Sequence, residues 1–220
     1  MSTATDTLVA RIRAALRAAG DPARAPGQQA YMKSVLPFFG VAVPESRRIA
    51  INAAANADDA MRRAASRILW DEATHREEWY AAMALLGRVE PGWDLVADIE
   101  HMVRTGRWWD VTDELAHRMA ELHDRFPART ADLVRAWSTD EDVWMRRLAI
   151  LSQLGRRIRV DRDLLAEAIE PNRDDPEFFV RKAIGWALRE CGRVDPDWVR
   201  GYVVTHQLSP LSRREALKRL

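Results

Sequence analysis

The succession of amphipathic helical segments constrains this chain more than any other feature of its sequence. Apolar residues recur with a helical period of about 3.6 residues, and short Gly, Pro and Asp clusters separate one segment from the next. Ala, Leu and Arg dominate the composition, and no alternating run typical of a strand occurs. The sequence therefore predicts an all-α fold. The predicted helices cover residues 5–19, 27–36, 44–56, 58–70, 74–87, 92–105, 109–122, 127–138, 141–155, 161–170, 175–191, 195–205 and 209–219.

Several of these helices begin just after a residue that commonly caps a helix N-terminus. Such residues accept a hydrogen bond from one of the first free N–H groups of the helix. The expected caps are Asp58, Thr74, Asp140, Asp161 and Ser209.

The spacing of three tryptophans indicates a repeat. Trp109 and Trp144 are 35 residues apart, and Trp144 and Trp186 are 42 apart. Both spacings are close to the unit of roughly 40 residues that builds HEAT and armadillo arrays. Short connections also imply antiparallel neighbouring helices. We predict a HEAT-like, armadillo-type α-α superhelix, a curved solenoid of antiparallel helix pairs, as a single domain over residues 1–220. A compact helical bundle is the alternative.

Composition excludes several classes of protein. The chain contains no apolar run of the roughly 20 residues that span a membrane, and Met1 to Ala10 lacks the pattern of a secretory signal. Cys191 is the only cysteine, so no intramolecular disulfide can form, and a reducing cytoplasm is the expected location. The five histidines form no HExxH motif or Cys/His cluster, and no glycine-rich phosphate loop occurs. We expect no metal and no cofactor.

Positive charge is concentrated in one part of a nearly neutral chain. The formal net charge is +1, but six arginines lie between Arg146 and Arg162 against a single acid, Asp161. Such a local excess suits a surface that follows phosphates, because the arginine fork matches phosphate oxygens. Biased codon usage explains abundant arginine equally well.

The stretch Arg107-Trp108-Trp109-Asp110-Val111-Thr112-Asp113 places two indoles and two carboxylates at the start of a predicted helix. Trp109 and Asp113 are four residues apart and share one helical face. A flat aromatic surface beside an acid can hold a sugar or base and stabilise positive charge on it. The alternative is a core tryptophan, with Asp110 and Asp113 favoured by the helix dipole.

Two later segments carry matching side chains. Trp144 and Arg147 share a face, which is also consistent with a core tryptophan beside a solvated arginine. Lys182, Trp186 and Arg189 follow at i, i+4 and i+7, so one indole lies between two cations on a single helical stripe. Aromatic, acidic and cationic side chains on three helices spaced like repeats favour one shared site over three unrelated packing positions.

These residues also carry a family resemblance. The chain resembles the AlkD-like DNA alkylation repair glycosylases, which are HEAT-like helical repeat proteins, from about residue 28 to the C-terminus. The matching stretches are Tyr31-Met32-Lys33, Pro37-Phe38-Phe39-Gly40, Pro44-Glu45-Ser46-Arg47-Arg48, Trp108-Trp109-Asp110-Val111-Thr112-Asp113, Trp144-Met145-Arg146-Arg147-Leu148-Ala149-Ile150, the segment 178–190, and Leu208-Ser209-Pro210-Leu211-Ser212-Arg213-Arg214-Glu215-Ala216.

The resemblance implies a DNA-alkylpurine N-glycosylase of base excision repair. Its expected substrates are cationic alkylated purines, such as 3-methyladenine and 7-methylguanine, in duplex DNA. The family's active constellation falls on Trp109, Asp113, Arg147 and Trp186. Ala42 departs from relatives that carry a polar residue there, so a contact to the opposite strand is expected to be missing. We expect a monomer that is associated with the nucleoid through DNA, with duplex contacts from Tyr31, Lys33, Arg146, Lys182, Arg189, Arg156 and Arg157.

The chemistry of such a reaction suits these side chains. An N-alkylated purine is already positively charged and leaves without a general acid, so the remaining task is to stabilise an oxocarbenium-like sugar and position water. We expect Asp113 to do both. Trp109 and Trp186 are expected to cup the sugar and backbone, and Arg147 to hold a phosphate. A non-catalytic HEAT-like module that binds nucleic acid or protein is the alternative, and a structural scaffold is a third.

Overall fold

A computed structural model describes residues 3–220, and in this range the chain is entirely helical, as predicted. Each of the thirteen predicted segments corresponds to one helix, and no strand occurs among the described residues. The helices are α1 (Thr3–Ala18), α2 (Ala25–Met32), α3 (Val43–Ala53), α4 (Asp59–Asp71), α5 (Arg76–Leu86), α6 (Leu95–Gly106), α7 (Trp109–Arg125), α8 (Pro127–Ser138), α9 (Val143–Leu151), α10 (Arg162–Ile169), α11 (Phe178–Cys191), α12 (Pro196–Thr205) and α13 (Pro210–Ala216). Short 3₁₀ turns lie at Arg157–Arg159 and Glu170–Asn172.

The chain divides into two compact units, Met1–Glu90 and Pro91–Leu220. In the first, α5 packs against α3 and α4, and α1 packs against α3, α4 and α5. Its centre is filled by fully buried aliphatic side chains that include Ile12, Leu69 and Leu85. The expectation of a single domain over residues 1–220 stays a prediction.

In the second unit the helices pack mainly on those nearby in the sequence. Helix α9 contacts α7, α8 and α11, and α11 contacts α13. Leu115, Met145 and Ile184, from α7, α9 and α11, are buried between these layers. In this helical repeat arrangement α7, α9, α11 and α13 lie side by side in that order. The candidate site is formed by residues of these four helices. None of the helices in residues 3–220 is long and apolar enough to cross a membrane.

Three of the five expected helix caps are confirmed. The side chains of Asp58, Asp161 and Ser209 accept hydrogen bonds from the backbone N–H groups of Met61, Leu164 and Ser212. The other two expectations were wrong in position. The cap residues are His75 instead of Thr74 and Asp142 instead of Asp140.

Tertiary partners explain both shifts. Thr74 donates its hydroxyl and its N–H to the Glu78 carboxylate instead of capping α5 itself. The Asp140 carboxylate accepts two hydrogen bonds from Arg104, at 2.6 and 3.1 Å, and so braces α6 instead of capping α9. Neither partner is visible to local capping rules.

A buried carboxylate organises the loop that connects α2 and α3. Glu77 of α5 is fully buried and accepts three backbone hydrogen bonds, from Phe39, Gly40 and Val41, at 2.9 to 3.0 Å. Gly40 has φ +95°, and a Cβ there would lie 2.0 Å from the carbonyl oxygen of Asp21. The loop is therefore held by one acid and by one position that only glycine can occupy.

Replacing Glu77 by alanine should lower the free energy of unfolding by about 3–5 kcal/mol, because three buried N–H groups lose a charged acceptor. Glu77→Gln should cost less, since its carbonyl oxygen still accepts. Urea unfolding followed by circular dichroism measures both variants. Equal stability of Glu77→Ala and the unaltered protein would contradict the assigned anchoring role.

Candidate active site

Helix α7 begins at the tryptophan pair, and its first turns position the two side chains singled out from the sequence. Arg107 ends α6 with left-handed backbone (φ 41°), and Trp108 is the N-cap residue with extended backbone. Trp109 is then the first residue of the helix, and Asp113 follows one turn later. Asp110 lies in the first turn, where its negative charge is favoured by the positive end of the helix dipole.

Asp113 and Arg147 form a two-pronged ion pair between α7 and α9. Nε and Nη2 of Arg147 donate to the two carboxylate oxygens of Asp113 at 2.9 and 3.0 Å. Nη1 donates to the backbone oxygen of Phe179 at the start of α11, at 2.5 Å. The Arg147 side chain is 5% exposed and that of Asp113 is 17% exposed. One guanidinium therefore joins three helices and orients the carboxylate.

Burial raises the pKa of Asp113 to about 6. The charge and hydrogen bonds of Arg147 oppose this rise, as does His117, while the neighbouring charge of Asp110 adds to it. The carboxylate is thus ionised near neutral pH yet poorly solvated. Poor solvation strengthens its interaction with any positive charge that develops beside it.

An aromatic cluster supports the ion pair. The rings of Trp108 (the N-cap residue of α7), Trp144 (α9) and Phe179 (α11) have centroids 5.0 to 5.8 Å apart. Trp144 is buried and Trp108 is half-buried. Both tryptophans therefore serve packing: they hold the same three helices that the Arg147 guanidinium joins.

Three further aromatic residues, Trp109, Phe178 and Trp186, line a cleft of about 270 Å³ in the second unit. The cleft unites residues that are up to 106 positions apart in the sequence, and four helices contribute to it. Its lining residues are Trp109, Asp113, Arg147, Phe178, Phe179, Lys182, Trp186, Arg189 and Glu215.

Both cations of the α11 stripe are paired with one carboxylate. Oε2 of Glu215, on α13, lies 3.2 Å from Nζ of Lys182 and 2.8 Å from Nη1 of Arg189. Hydrogen bonds from these two cations, first that of Arg189, lower the pKa of Glu215 below its usual value. No local sequence pattern marks Glu215 as their partner, because the acid lies 26 residues beyond Arg189.

Gly185 permits the close approach of α11 and α13. A Cβ at this position would lie 2.4 Å from Cβ of Glu215 and 2.8 Å from the carbonyl oxygen of Ser212. Ser212 also donates its hydroxyl to the backbone oxygen of Arg181, at 3.0 Å. The absence of a side chain at position 185 is what allows Glu215 to reach the stripe.

The arginine excess between residues 146 and 162 is largely neutralised by acids that are distant in the sequence. Arg146 pairs with Asp175, Arg147 with Asp113, Arg156 and Arg159 with Asp124, and Arg162 with Asp195. Within the described residues only Arg157 of the six forms no ion pair, and it lines a different cavity that also contains Cys191. Arg146, Arg156 and Arg157 are not part of the cleft lining, and their contact with DNA stays a prediction.

The N-terminal residues expected to contact DNA belong to the first unit. Tyr31 is 74% exposed in the last turn of α2. Lys33 is the C-cap residue of this helix and has left-handed backbone (φ 49°). Ala42 is the N-cap residue of α3 and makes no side-chain cap hydrogen bond. The roles of these residues at DNA stay predictions.

Two phenylalanines of the site were not assigned from the sequence. Phe178 and Phe179 lie inside a stretch that carried the resemblance, but two adjacent phenylalanines at a helix start have no distinctive spacing. Phe178 is 52% exposed at the cleft, which is unusual for so large an apolar side chain. In residues 3–220, no group of three or more His, Cys, Asp or Glu side chains could hold a metal ion.

Comparison with known proteins identifies the family. A family model described as DNA alkylation repair enzyme matches residues 12–220, and the chain therefore belongs to the DNA alkylation repair enzyme family. A solved structure of a predicted DNA alkylation repair enzyme from Enterococcus faecalis is 28% identical, covers 91% of this chain and 96% of its own, and superposes with a TM-score of 0.80.

Two structures from Streptococcus mutans share the fold at 18% identity. AlkD2 has a TM-score of 0.63 and covers 82% of this chain and 91% of its own. The protein smu.31 has a TM-score of 0.64 and covers 81% and 92%. A search of curated proteins gives no match.

Gly185→Ala should destabilise the protein although alanine favours helix, because its Cβ displaces α13 and separates Glu215 from the stripe. Gly201 of α12 has open space around it and is the matched control. Gly201→Ala should raise the free energy of unfolding by about 0.5–1 kcal/mol, the usual difference in helix propensity. Urea unfolding should thus give opposite signs for the two variants. A stability increase for both would contradict the close approach at position 185.

Proposed function

We propose that this protein is a DNA glycosylase that hydrolyses the N-glycosidic bond of cationic alkylated purines in duplex DNA. One observation carries the proposal: the two indoles Trp109 and Trp186 line the same cleft as a poorly solvated, rigidly held carboxylate, Asp113. Membership of the DNA alkylation repair family supports it. The substrate class expected is that of 3-methyladenine and 7-methylguanine.

The leaving group determines what the cleft must supply. When the bond between C1′ and the base nitrogen breaks, the electron pair goes to the base and cancels its positive charge. No general acid is needed, and the positive charge moves to the sugar. Asp113 stabilises this oxocarbenium-like sugar and orients the water that attacks C1′, since a preorganised charge in a dry site is the strongest such device. The attack forms the new C1′–O bond, and the proton that the water loses passes to solvent, so Asp113 remains ionised for the next reaction.

The indoles and the arginine have separate tasks in this proposal. Trp109 and Trp186 cup the sugar and backbone, and their electron-rich faces favour the cationic sugar. Arg147 keeps Asp113 ionised and correctly turned, because three of its five N–H groups already bind Asp113 and Phe179. The phosphate contact expected of Arg147 is left to its remaining two N–H groups.

The open form of the site fits double-stranded DNA as the partner. The cleft is partly open to solvent, and its lining includes Lys182 and Arg189. An open cleft suits a lesion that stays in the duplex better than one that is extruded into a closed pocket. We propose a monomer that needs no cofactor and acts on DNA in the cytoplasm or nucleoid.

Asp113→Asn should lower the rate of 7-methylguanine release from methylated duplex DNA more than tenfold, corresponding to at least about 1.4 kcal/mol of transition-state stabilisation. Single-turnover release of free base, measured by chromatography, tests this. Asp110→Asn is the matched control, because it removes a carboxylate from the same helix turn outside the cleft lining, and it should retain activity.

The same assay separates the glycosylase from a binding module. Loss of release in Asp113→Asn, with retained release in Asp110→Asn, supports catalysis by Asp113. If the unaltered protein binds methylated duplex but releases no alkylpurine, the non-catalytic alternative replaces the glycosylase.

The pH dependence of release follows from the raised pKa of Asp113. Only the ionised carboxylate stabilises the sugar cation, so the rate should be constant above pH 7 and fall as the pH drops through about 6. Arg147→Lys keeps a positive charge but loses the two-pronged bond, and it should move the midpoint upward. A rate that stays constant down to pH 4 would show that release does not require the ionised carboxylate of Asp113.

A further inference from the structure

The two cations of the α11 stripe and their shared acid form a cluster that the proposed catalytic step does not use. We call Lys182, Arg189 and Glu215 the charge clamp. All three line the cleft beside the Asp113–Arg147 pair. The catalytic pair is neutral as a unit, while the clamp carries two positive charges and one negative charge. The cleft as a whole therefore has a net charge of +1, which matches a single phosphodiester.

The hydrogen bonds of Arg189 show which of its edges is available. Nη1 donates twice to Glu215, to Oε2 at 2.8 Å and to the backbone oxygen at 3.2 Å. Both N–H groups of Nη1 are thereby used. Nε and Nη2 donate no hydrogen bond within residues 3–220, and together they form the edge of a guanidinium that binds two phosphate oxygens at once. Glu215 thus holds Arg189 by one nitrogen and leaves its phosphate-binding edge open.

The three side chains of the clamp differ in burial: Glu215 and Arg189 are largely buried, and Lys182 is more accessible to solvent. The side chains of Glu215 and Arg189 are 10% and 18% exposed, whereas that of Lys182 is 38% exposed. Gly185, between the two cations on α11, brings Glu215 close enough to reach both. A salt bridge on a free surface would not need a glycine to form.

We propose that Glu215 is a positioning residue that shapes the cleft to receive one phosphodiester of the DNA backbone. It does so by holding Lys182 and Arg189 on either side of Trp186 and by cancelling one of their two charges. The net charge admits one phosphate group next to the sugar. The fixed arginine edge sets the register of that sugar against Asp113. The effect on base release rests on the proposed function, whereas the effect on binding of undamaged duplex does not.

Glu215→Gln tests the positioning role. The charge of the cleft becomes +2, so affinity for undamaged duplex should be kept or raised, while the slope of log affinity against log salt should stay the same, because the cleft still receives one phosphate. Single-turnover release of 7-methylguanine at saturating protein should nevertheless fall at least about fivefold, a loss that appears in the rate and not in binding. Glu190→Gln is the matched control, since it removes an acid from α11 that pairs with Arg193 outside the cleft lining.

A parallel fall of affinity and rate in Glu215→Gln would show that the acid merely supports the fold and would overturn the proposal. An unchanged release rate would also overturn it. Circular dichroism melting identifies a variant that does not fold. If Glu215→Gln does not fold, the variants Arg189→Gln and Lys182→Met test the proposal instead, because they leave Glu215 in place.

The two cation variants test the single phosphodiester directly. Each should flatten the salt dependence for undamaged duplex by about one unit, and the double variant should also lose only about one unit, because both side chains serve the same phosphate. A loss of two units in the double variant would mean two separate phosphates and would contradict the proposal. These slopes need no base release. If the unaltered protein releases no base, the glycosylase proposal fails while the clamp is still tested.

Discussion

The ion pair between Asp113 and Arg147 is the interaction on which the rest of the site depends. A single guanidinium binds both carboxylate oxygens on α7 and a backbone oxygen on α11, so it fixes three helices with one side chain. The rings of Trp108, Trp144 and Phe179 pack the same helices together nearby. Breaking a buried pair of this kind leaves an uncompensated charge, which is why the geometry of the candidate site and local stability are coupled here.

The second organising constraint is the distribution of charge in space. A nearly neutral chain with 34 basic and 33 acidic residues could concentrate its cations into one basic surface. Instead most arginines of α9 and its following loop pair with acids about 30 positions away. After these pairings, the charged residues of the cleft retain a small excess of positive charge. A few specifically placed charges, as in the clamp formed by Lys182, Arg189 and Glu215, take the place of one broad basic surface.

Much of the architecture could be predicted because helix formation is governed by local periodicity. All thirteen helices of residues 3–220 were predicted, and Asp58, Asp161 and Ser209 cap three of them as expected, since a cap depends only on the next three residues. Thr74 and Asp140 were misassigned because Glu78 and Arg104 compete for them. The local signal was correct in kind, and a tertiary contact overrode it.

The sequence by itself determined the helical class, the repeat spacing and the residue types of the site, because periodicity and the i, i+4 relation act within one helix. Only the tertiary structure decided that Arg147 holds Asp113, that Glu215 joins Lys182 to Arg189, and that Phe178 and Phe179 enter the cleft. These contacts bridge residues more than 25 positions apart, and they form only after packing brings α7, α9, α11 and α13 side by side. A residue's partner is set by where its helix lies, and local sequence does not encode that position.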